Sequence, residues 1–268
     1  MKRDLILLSI ILGTIFSVVS CTKVVNINLN ASAPRLIIEG SVSDQPASCS
    51  VKLSKSVNFD EPNTFPEVTG ASVLISDDQG NHATLIESKP GSYSAPAFPG
   101  VPGRTYTLSV TSEGKTYTAV STMPNAVAID SISQDSFTMG FGSGTKVKYV
   151  RIQYHDPKGI ENNYRFVEKI NGNFSNSIYA DNDLLRDGNV VTQEIIHTDP
   201  SLQTGDSIVI FLYTIDKPVF NYFEQLRHIT QGFGGQTASP ANPVSNLSNG
   251  ALGYFSANAI RSKSIVIK

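Results

Sequence analysis

The stretch GSYSAPAFPGVPGRTYTLSVTSEGKTYTA, residues 91–119, decides the fold class. Two segments in and beside it, 105–111 (TYTLSVT) and 115–121 (KTYTAVS), alternate apolar and polar residues, which is typical of half-buried β-strands. Residues 112–114 (SEG) separate them and suit a tight hairpin turn, because glycine adopts backbone angles that most residues avoid. The stretch therefore predicts an antiparallel hairpin with one buried face.

Further alternating segments lie on both sides of this hairpin. The pattern predicts strands at 35–43, 50–57, 71–78, 82–88, 147–156, 163–170, 189–197, 207–216 and in the C-terminal SKSIVIK. Six or seven short strands within about 90 residues are typical of a β-sandwich. The chain is thus expected to be rich in β-structure on both sides of its middle.

One segment carries a helical pattern instead. In KPVFNYFEQLRHITQ (217–231), Val219, Phe223 and Leu226 fall on one face, and a proline suits the first helical turn. The residues that follow are rich in glycine, proline, asparagine and serine, and predict a loop until ALGYFSA at 251–257. A single short helix is expected in this part of the chain.

The expected fold class is mainly β, with two β-sandwich-like domains and one short helix in the second. The segment STMPNAVAIDSIS, 121–133, marks the passage from an N-terminal domain at 34–123 to a C-terminal domain at 124–268. The run at 91–119 resembles modules of the transthyretin-like and immunoglobulin-like class, which place a Gly-x-Tyr strand, a glycine-rich loop and a Thr-Tyr-x-Leu-x-Val strand in this order. That resemblance implies a fold for the first domain and no function.

The first twenty residues predict export. After two basic residues comes the apolar run 5–19, whose helix would span roughly 22 Å, less than the roughly 30 Å of a bilayer core. The run therefore fits a secretory signal better than a permanent membrane span. Its end, VVSC at 18–21, resembles the bacterial lipoprotein cleavage box, in which the cysteine is acylated and becomes the mature N-terminus.

Cys21 is accordingly the predicted lipidation site, with residues 1–20 as signal peptide and 21–33 as tether. Each buried methylene of a chain such as palmitate contributes about 0.8 kcal/mol, and stable anchoring takes more than one chain. The alternatives are an ordinary signal peptide with an incidental cysteine, or a short anchor helix. The sequence behind Cys21 carries neither an immediate aspartate nor an acidic run, so periplasmic and surface-facing orientations at the outer membrane stay open.

Composition argues against several classes of function. The 268 residues carry 21 basic and 23 acidic side chains, a net charge of −2, so a nucleic-acid partner is not expected. The histidines are scattered without a His-x-x-x-His pair, and neither a Gly-x-Ser-x-Gly elbow nor a phosphate-binding loop occurs. Cys49 lies in an alternating segment and reads as a small core residue. We expect no cofactor and assign no catalytic residue.

Two candidate binding features remain, the first of them acidic. Asp181, Asp183 and Asp187 offer the hard oxygen ligands that Ca²⁺ prefers. Between them, residues 184–186 (LLR) break the alternate-ligand spacing of an EF-hand. The segment is therefore either a weak calcium loop or a solvated, capping loop without a metal.

The second candidate feature is aromatic. Tyr254 and Phe255, in NGALGYFSA at 249–257, could present an aromatic pair to a ligand beside a flexible loop. The alternative, which we favour, is that the glycines make tight turns and the two aromatics fill the core of the second domain.

Longer motifs carry a more specific resemblance. They are PRLIIEGSVSDQPASCSVKLSKS (34–56), VTGASVLISDDQGN (68–81), HDPKGIENNYRF (155–166), DNDLLRDGN (181–189) and NPVSNLSNGALGYFSA (242–257). In this order, behind a lipobox cysteine, they resemble a Bacteroidota outer-membrane lipoprotein family known as domain-of-unknown-function family 4249. The resemblance implies a cell-envelope protein whose gene often lies beside that of a TonB-dependent outer-membrane transporter, and it implies no activity.

We therefore expect an acylated cell-envelope lipoprotein, held at the outer membrane by its N-terminal lipid. Its expected role is that of a non-enzymatic accessory or ligand-binding component of outer-membrane transport, and the transporter partner rests on family context alone. One alternative is a glycan-active hydrolase, whose two carboxylates the sequence does not single out. Another is a structural or adhesive envelope module.

Overall fold

Strands with alternating burial build most of the chain in a computed structural model of the protein. It describes residues 33–58, 61–139, 144–197, 201–230 and 242–268. Cys21, the predicted signal peptide and nearly all of the predicted tether lie outside the described residues. Within those ranges, no helix combines the length and the apolar character needed to cross a bilayer.

Seven strands precede the predicted passage between domains. They are β1 (Leu36–Ser43), β2 (Ser50–Lys55), β3 (Ser72–Asp77), β4 (His82–Lys89), β5 (Ser92–Ser94), β6 (Thr105–Ser112) and β7 (Lys115–Thr122). The alternation that predicts β6 is confirmed, since Tyr106, Leu108 and Val110 are fully buried while the residues between them are not.

Eight strands and one helix follow in the described part of the chain. They are β8 (Ile129–Met139), β9 (Thr145–His155), β10 (Asn163–Ile170), β11 (Asn173–Phe174), β12 (Tyr179–Asn182), β13 (Val190–Ile196), β14 (Ser207–Ile215), α1 (Lys217–Thr230) and β15 (Leu252–Val266). The helix lies where the apolar spacing predicts it. The strand predicted in the C-terminal SKSIVIK is longer than expected, since β15 begins at Leu252, within ALGYFSA.

The strands form two sheets. The larger has twelve strands in the order β11-β10-β14-β15-β1-β2-β5-β4-β3-β6-β7, with β12 also paired to β10, and the smaller has the order β13-β9-β8. Strand β15 joins the two parts of the large sheet, because its first half pairs in parallel with β1 and its second half pairs antiparallel with β14. Pro34–Lys268 form one compact unit. The division between residues 123 and 124 stays a prediction.

Three apolar clusters hold the two sheets and α1 together. The first is built from β1 to β7 and receives Phe255 from β15. The second packs Ile152 of β9 against Phe166 of β10 and Leu212 of β14, which places the small sheet over one face of the large sheet. The third packs α1 on the opposite face, where Tyr213 points because successive residues of a strand alternate sides. Over the described ranges, the fold is mainly β and sandwich-like with one helix, as expected.

Asp216 fixes the start of α1. Its Oδ1 accepts a hydrogen bond from the backbone N–H of Val219 at 3.2 Å, which is the geometry of a helix N-cap. Its Oδ2 accepts from the Ser121 hydroxyl at 2.7 Å and from the Thr122 N–H at 3.0 Å. Burial raises the pKa of the Asp216 carboxyl, and these hydrogen bonds offset part of that effect. One side chain thus ties the helix to the end of β7.

Gly253 permits the parallel contact between β1 and β15. Its φ is +92°, in the region that disfavours residues with a Cβ. A Cβ at this position would lie 2.1 Å from the carbonyl oxygen of Ile38. The glycine in the GYF motif is therefore required by the backbone angle and by the close approach of the neighbouring strand.

Candidate functional site

A cavity of about 370 Å³ opens at one edge of the region where the small sheet packs over the large sheet. Strand β12 of the large sheet, strand β13 of the small sheet and the last turns of α1 meet there. We call this cavity the edge pocket. Its apolar lining consists of Phe166, Tyr179, Ala180 and Ile196. The volume lies within the roughly 300–1,000 Å³ that is usual for small-molecule sites.

The apolar floor of the edge pocket links the two sheets. Phe166 belongs to the buried core, whereas 40% of Ile196 is exposed. The Tyr179 hydroxyl donates a hydrogen bond to the carbonyl oxygen of Ile196 at 3.3 Å, which connects β12 to β13. Burial raises the pKa of the Tyr179 phenol, and the nearby Glu168 carboxylate adds to the effect. The floor therefore presents a ring and an aliphatic side chain to a ligand.

Asp181 and Arg186 form an ion pair on the polar side of the edge pocket. A guanidinium nitrogen of Arg186 lies 2.6 Å from Oδ1 of Asp181, which also accepts from the Asn182 N–H at 2.9 Å. The other oxygen, Oδ2, is buried and accepts no hydrogen bond from the part of the chain that the structure describes. Asp181 thus keeps one free acceptor.

Glu194 is held by a different arginine. Its Oε1 lies 3.1 Å from a guanidinium nitrogen of Arg151, which is also 3.1 Å from Asp135. The hydrogen bond to Glu194 raises the pKa of Arg151 further above its usual range. Gln193 completes this side of the pocket and donates to the backbone carbonyl of Glu194 at 2.9 Å.

Arg227 reaches the edge pocket from the end of α1. Its Nε is buried and donates no hydrogen bond to a described residue. None of the ion pairs among the described residues includes its guanidinium, and Glu224, one helical turn earlier, does not reach it. Arg227 is therefore a cation without a carboxylate partner in the described structure.

Two of the three predicted calcium ligands come together with a third carboxylate. Asp183 and Asp187 lie beside Asp156, with one oxygen of each within 4.8 Å of the others. Asp181 does not join them, because it lies in the edge pocket. Three carboxylates at this spacing could hold a cation that prefers oxygen ligands.

The same carboxylates also fasten two loops to each other. Asp183 accepts from the Asn162 N–H at 2.8 Å, and Asp187 accepts from the Gly159 N–H at 2.6 Å. Asp156 is fully buried and accepts from the Tyr164 hydroxyl, while burial and Asp156 together raise the pKa of that phenol. The cluster thus has a structural role that requires no metal.

The predicted aromatic pair lies apart from the edge pocket. Phe255 is fully buried, but it fills the first apolar cluster and not a core of the second domain, because this part of β15 pairs with β1. Tyr254 lies beneath α1, with ring centres 5.1 Å from Tyr222 and 4.8 Å from Phe223, and burial raises the pKa of its phenol. Cys49 is a buried free thiol, as expected for a small core residue, and burial raises its pKa to about 11.

A buried acid and a histidine lie behind the pocket floor. Glu168, 2% exposed, follows Phe166 on the same face of β10. Its Oε2 lies 2.5 Å from Nε2 of His197, directly after β13. Neither carboxylate oxygen has a well-aligned hydrogen bond with the described residues. This pair is a second contact between the two sheets.

The family model described as "Domain of unknown function (DUF4249)" matches residues 22–264. The chain belongs to this family. The resemblance drawn from the sequence motifs is thereby confirmed at the level of the family. No curated protein matches this DUF4249 chain. The matched range contains the edge pocket, the acidic cluster and the join between β1 and β15.

Sequence reasoning missed several of these residues. Arg227 lies on the polar side of a helix whose apolar face is readily recognised, and its position at the helix end was the available signal. Asp156 stands directly after β9, where a turn brings it back to the loop that holds Asp183. Asp181 is in the predicted acidic set, but its partner is Arg186 and not the other two aspartates.

Proposed function

We propose that this protein is a lipid-anchored component of the bacterial cell envelope that binds a small molecule in the edge pocket. In this role it serves outer-membrane transport as a non-enzymatic accessory. The observation that carries the binding proposal is the edge pocket itself, with an apolar floor and an arginine that lacks a carboxylate partner among the described residues.

The anchor rests on the sequence before the described unit. The apolar run ends in VVSC, and the family match begins at residue 22, directly after Cys21. A lipidated Cys21 followed by a short tether would keep the sandwich beside the membrane. The association with a TonB-dependent transporter rests on the gene context that the family resemblance implies.

Radiolabelled palmitate incorporation tests the anchor. The natural protein should take up label and sediment with membranes, whereas Cys21→Ala should do neither, and Cys49→Ala serves as the matched control that keeps both. An unmodified sulfur at Cys21 in the mature protein would contradict the anchor. Cross-linking in intact cells tests the partner, and recovery without any outer-membrane transporter would count against it.

A pair of tryptophan substitutions tests the edge pocket. Gln193→Trp places a large side chain in the lining, whereas Thr192→Trp adds the same side chain on the neighbouring residue of β13, outside the lining. Ligand-observed NMR with mixtures of sugars, sugar acids and amino acids should show binding that only Gln193→Trp abolishes. Equal binding by both variants would place the ligand elsewhere.

A glycan-active hydrolase is the second candidate, because Asp181 and Glu194 both line the edge pocket. Glycosidases use two carboxyl groups roughly 5–10 Å apart, one of which donates a proton. Here each carboxylate is bound to an arginine. Turnover of chromogenic glycosides that is lost in both Asp181→Asn and Glu194→Gln would favour the hydrolase over the binding protein.

A further inference from the structure

We propose that the edge pocket selects a small carboxylate that also carries a hydrogen-bond donor, as hydroxy acids, sugar acids and amino acids do. The carboxylate pairs with Arg227, and the donor of the ligand bonds to Oδ2 of Asp181. This inference rests on the proposed binding function and adds the chemical class of the ligand.

The charges of the lining point to an anion. Asp181 is paired with Arg186, and Glu194 is paired with Arg151 behind the pocket. These pairs leave Arg227 as the charged lining residue whose guanidinium has no carboxylate partner among the described residues. An anionic ligand therefore gains an interaction here that no neighbouring side chain already makes.

The geometry of the guanidinium favours a carboxylate over a simple ion. Its planar set of donors matches two oxygens of a carboxylate at once. The buried Nε of Arg227 lacks an acceptor in the described structure, and a buried donor without an acceptor is unfavourable. A bound carboxylate removes that deficit. The apolar floor beside it strengthens the attraction, because charges interact more strongly where water is excluded.

Asp181 supplies the second recognition element. Its Oδ1 is occupied by Arg186, whereas its Oδ2 is buried and accepts no hydrogen bond from the described residues. A hydroxyl or ammonium group on the ligand satisfies this oxygen, and an acid without a donor does not. The Arg227 guanidinium and Oδ2 of Asp181 therefore favour a ligand that carries both a carboxylate and a hydrogen-bond donor.

The size of the site limits the rest of the ligand. A cavity of about 370 Å³ is at the small end of ligand sites, so a monomer fits better than a polymer. Tyr179 and Ile196 offer apolar contact to the body of the ligand, which suits the face of a sugar ring or an aliphatic side chain alike. The experiment must therefore distinguish sugar acids from amino acids, since both carry a carboxylate and a hydrogen-bond donor.

Isothermal titration calorimetry on the full chain in detergent tests the inference. Sodium D-glucuronate and L-leucine carry the carboxylate and a donor, and D-glucose and L-leucinol are their matched compounds without the carboxylate. We expect at least one acid to bind at least about tenfold more tightly than its match without the carboxylate. Binding of glucuronate but not leucine would indicate that the natural ligand is a sugar acid. Binding of leucine but not glucuronate would indicate an amino acid.

Variants then assign the binding to Arg227. Arg227→Met should weaken binding of the acid at least about tenfold without weakening binding of the match that lacks the carboxylate, and Arg227→Lys should restore part of the affinity. Lys217→Met removes a cation from the other end of α1, outside the pocket, and should change nothing. Circular dichroism confirms that each variant is folded.

Several results would overturn the inference. Equal affinity for each acid and its match without the carboxylate, or unchanged acid binding in Arg227→Met, contradicts the ligand class. If only the compounds without a carboxylate bind and Gln193→Trp blocks their binding, the ligand class is wrong but the proposed binding function stands. If none of the four compounds binds and the NMR mixtures give no signal that Gln193→Trp removes, the edge pocket is not a ligand site and both proposals fall.

Discussion

Replacing Gly253 by alanine should weaken the contact between β1 and β15 and destabilise the whole protein. A φ of +92° strains a residue with a Cβ by about 1–2 kcal/mol. The new Cβ would also lie 2.1 Å from the Ile38 carbonyl oxygen, so one strand must move, and overpacking of this kind adds about 1–3 kcal/mol. The free energy of unfolding should therefore fall by about 2–5 kcal/mol, a large part of the ~5–15 kcal/mol typical of a domain.

Gly80→Ala is the control for this prediction. Gly80 has a similar φ of +83°, but nothing lies within 4 Å of the position that a Cβ would occupy there, so only the backbone strain of about 1–2 kcal/mol is expected. Urea unfolding followed by far-ultraviolet circular dichroism measures both variants, because the chain contains no tryptophan for fluorescence. Equal losses for Gly253→Ala and Gly80→Ala would refute the argument from the close approach to Ile38.

Three further changes test other parts of the structure. His197→Phe leaves Glu168 buried without its partner and should lower the free energy of unfolding by about 1–3 kcal/mol in urea. The pKa of Asp216 is raised in the folded state, so its contribution to stability is fully present below pH 3.8 and is lost as the pH rises through the folded pKa. The unfolding free energy of the natural protein minus that of Asp216→Asn should therefore increase between pH 7 and about pH 4. In a Cys21→Ala background, Cys49 should not react with Ellman's reagent at pH 8 until urea unfolds the protein, because burial raises its pKa to about 11.

Each of these predictions has a clear contrary result. An unchanged urea midpoint in His197→Phe would mean that Glu168 finds another partner. A difference between natural and Asp216→Asn protein that stays constant with pH would show that the carboxyl titrates alike in both states. Rapid labelling of native Cys49 would show that the first core opens without global unfolding.

Local pattern accounts for most of the elements but not for their arrangement. The alternation at 105–111 and the apolar spacing at 217–231 each depend on neighbours in sequence, and both predictions are confirmed by β6 and α1. The parallel pairing of β1 with β15 joins Ile38 to Gly253, near opposite ends of the described chain, and it leaves no local periodicity to read. Strand β8 was also missed, because Pro124 just before it indicates a linker.

The candidate site was predicted only in part, for a related reason. Asp183 and Asp187 are close in sequence, so their contact follows from one loop, whereas Asp156 reaches them by the return of the chain after β9. The edge pocket depends on three separate elements meeting, so the isolation of Arg227 is visible only in three dimensions. A charged residue on the polar face of a helix normally faces water, and the sequence does not show that Arg227 lines a pocket instead.

The shared strand β15 has a consequence for biogenesis. One edge of β1 pairs with β2, but its other edge lacks a partner until β15 has been synthesised after β1 to β14, and the first core lacks Phe255 until then. Contacts between such distant segments form slowly, because the entropy cost of closing a long loop comes before the contacts stabilise the chain. The first part of the large sheet can therefore complete its pairing and its core only after the C-terminal strand has been synthesised.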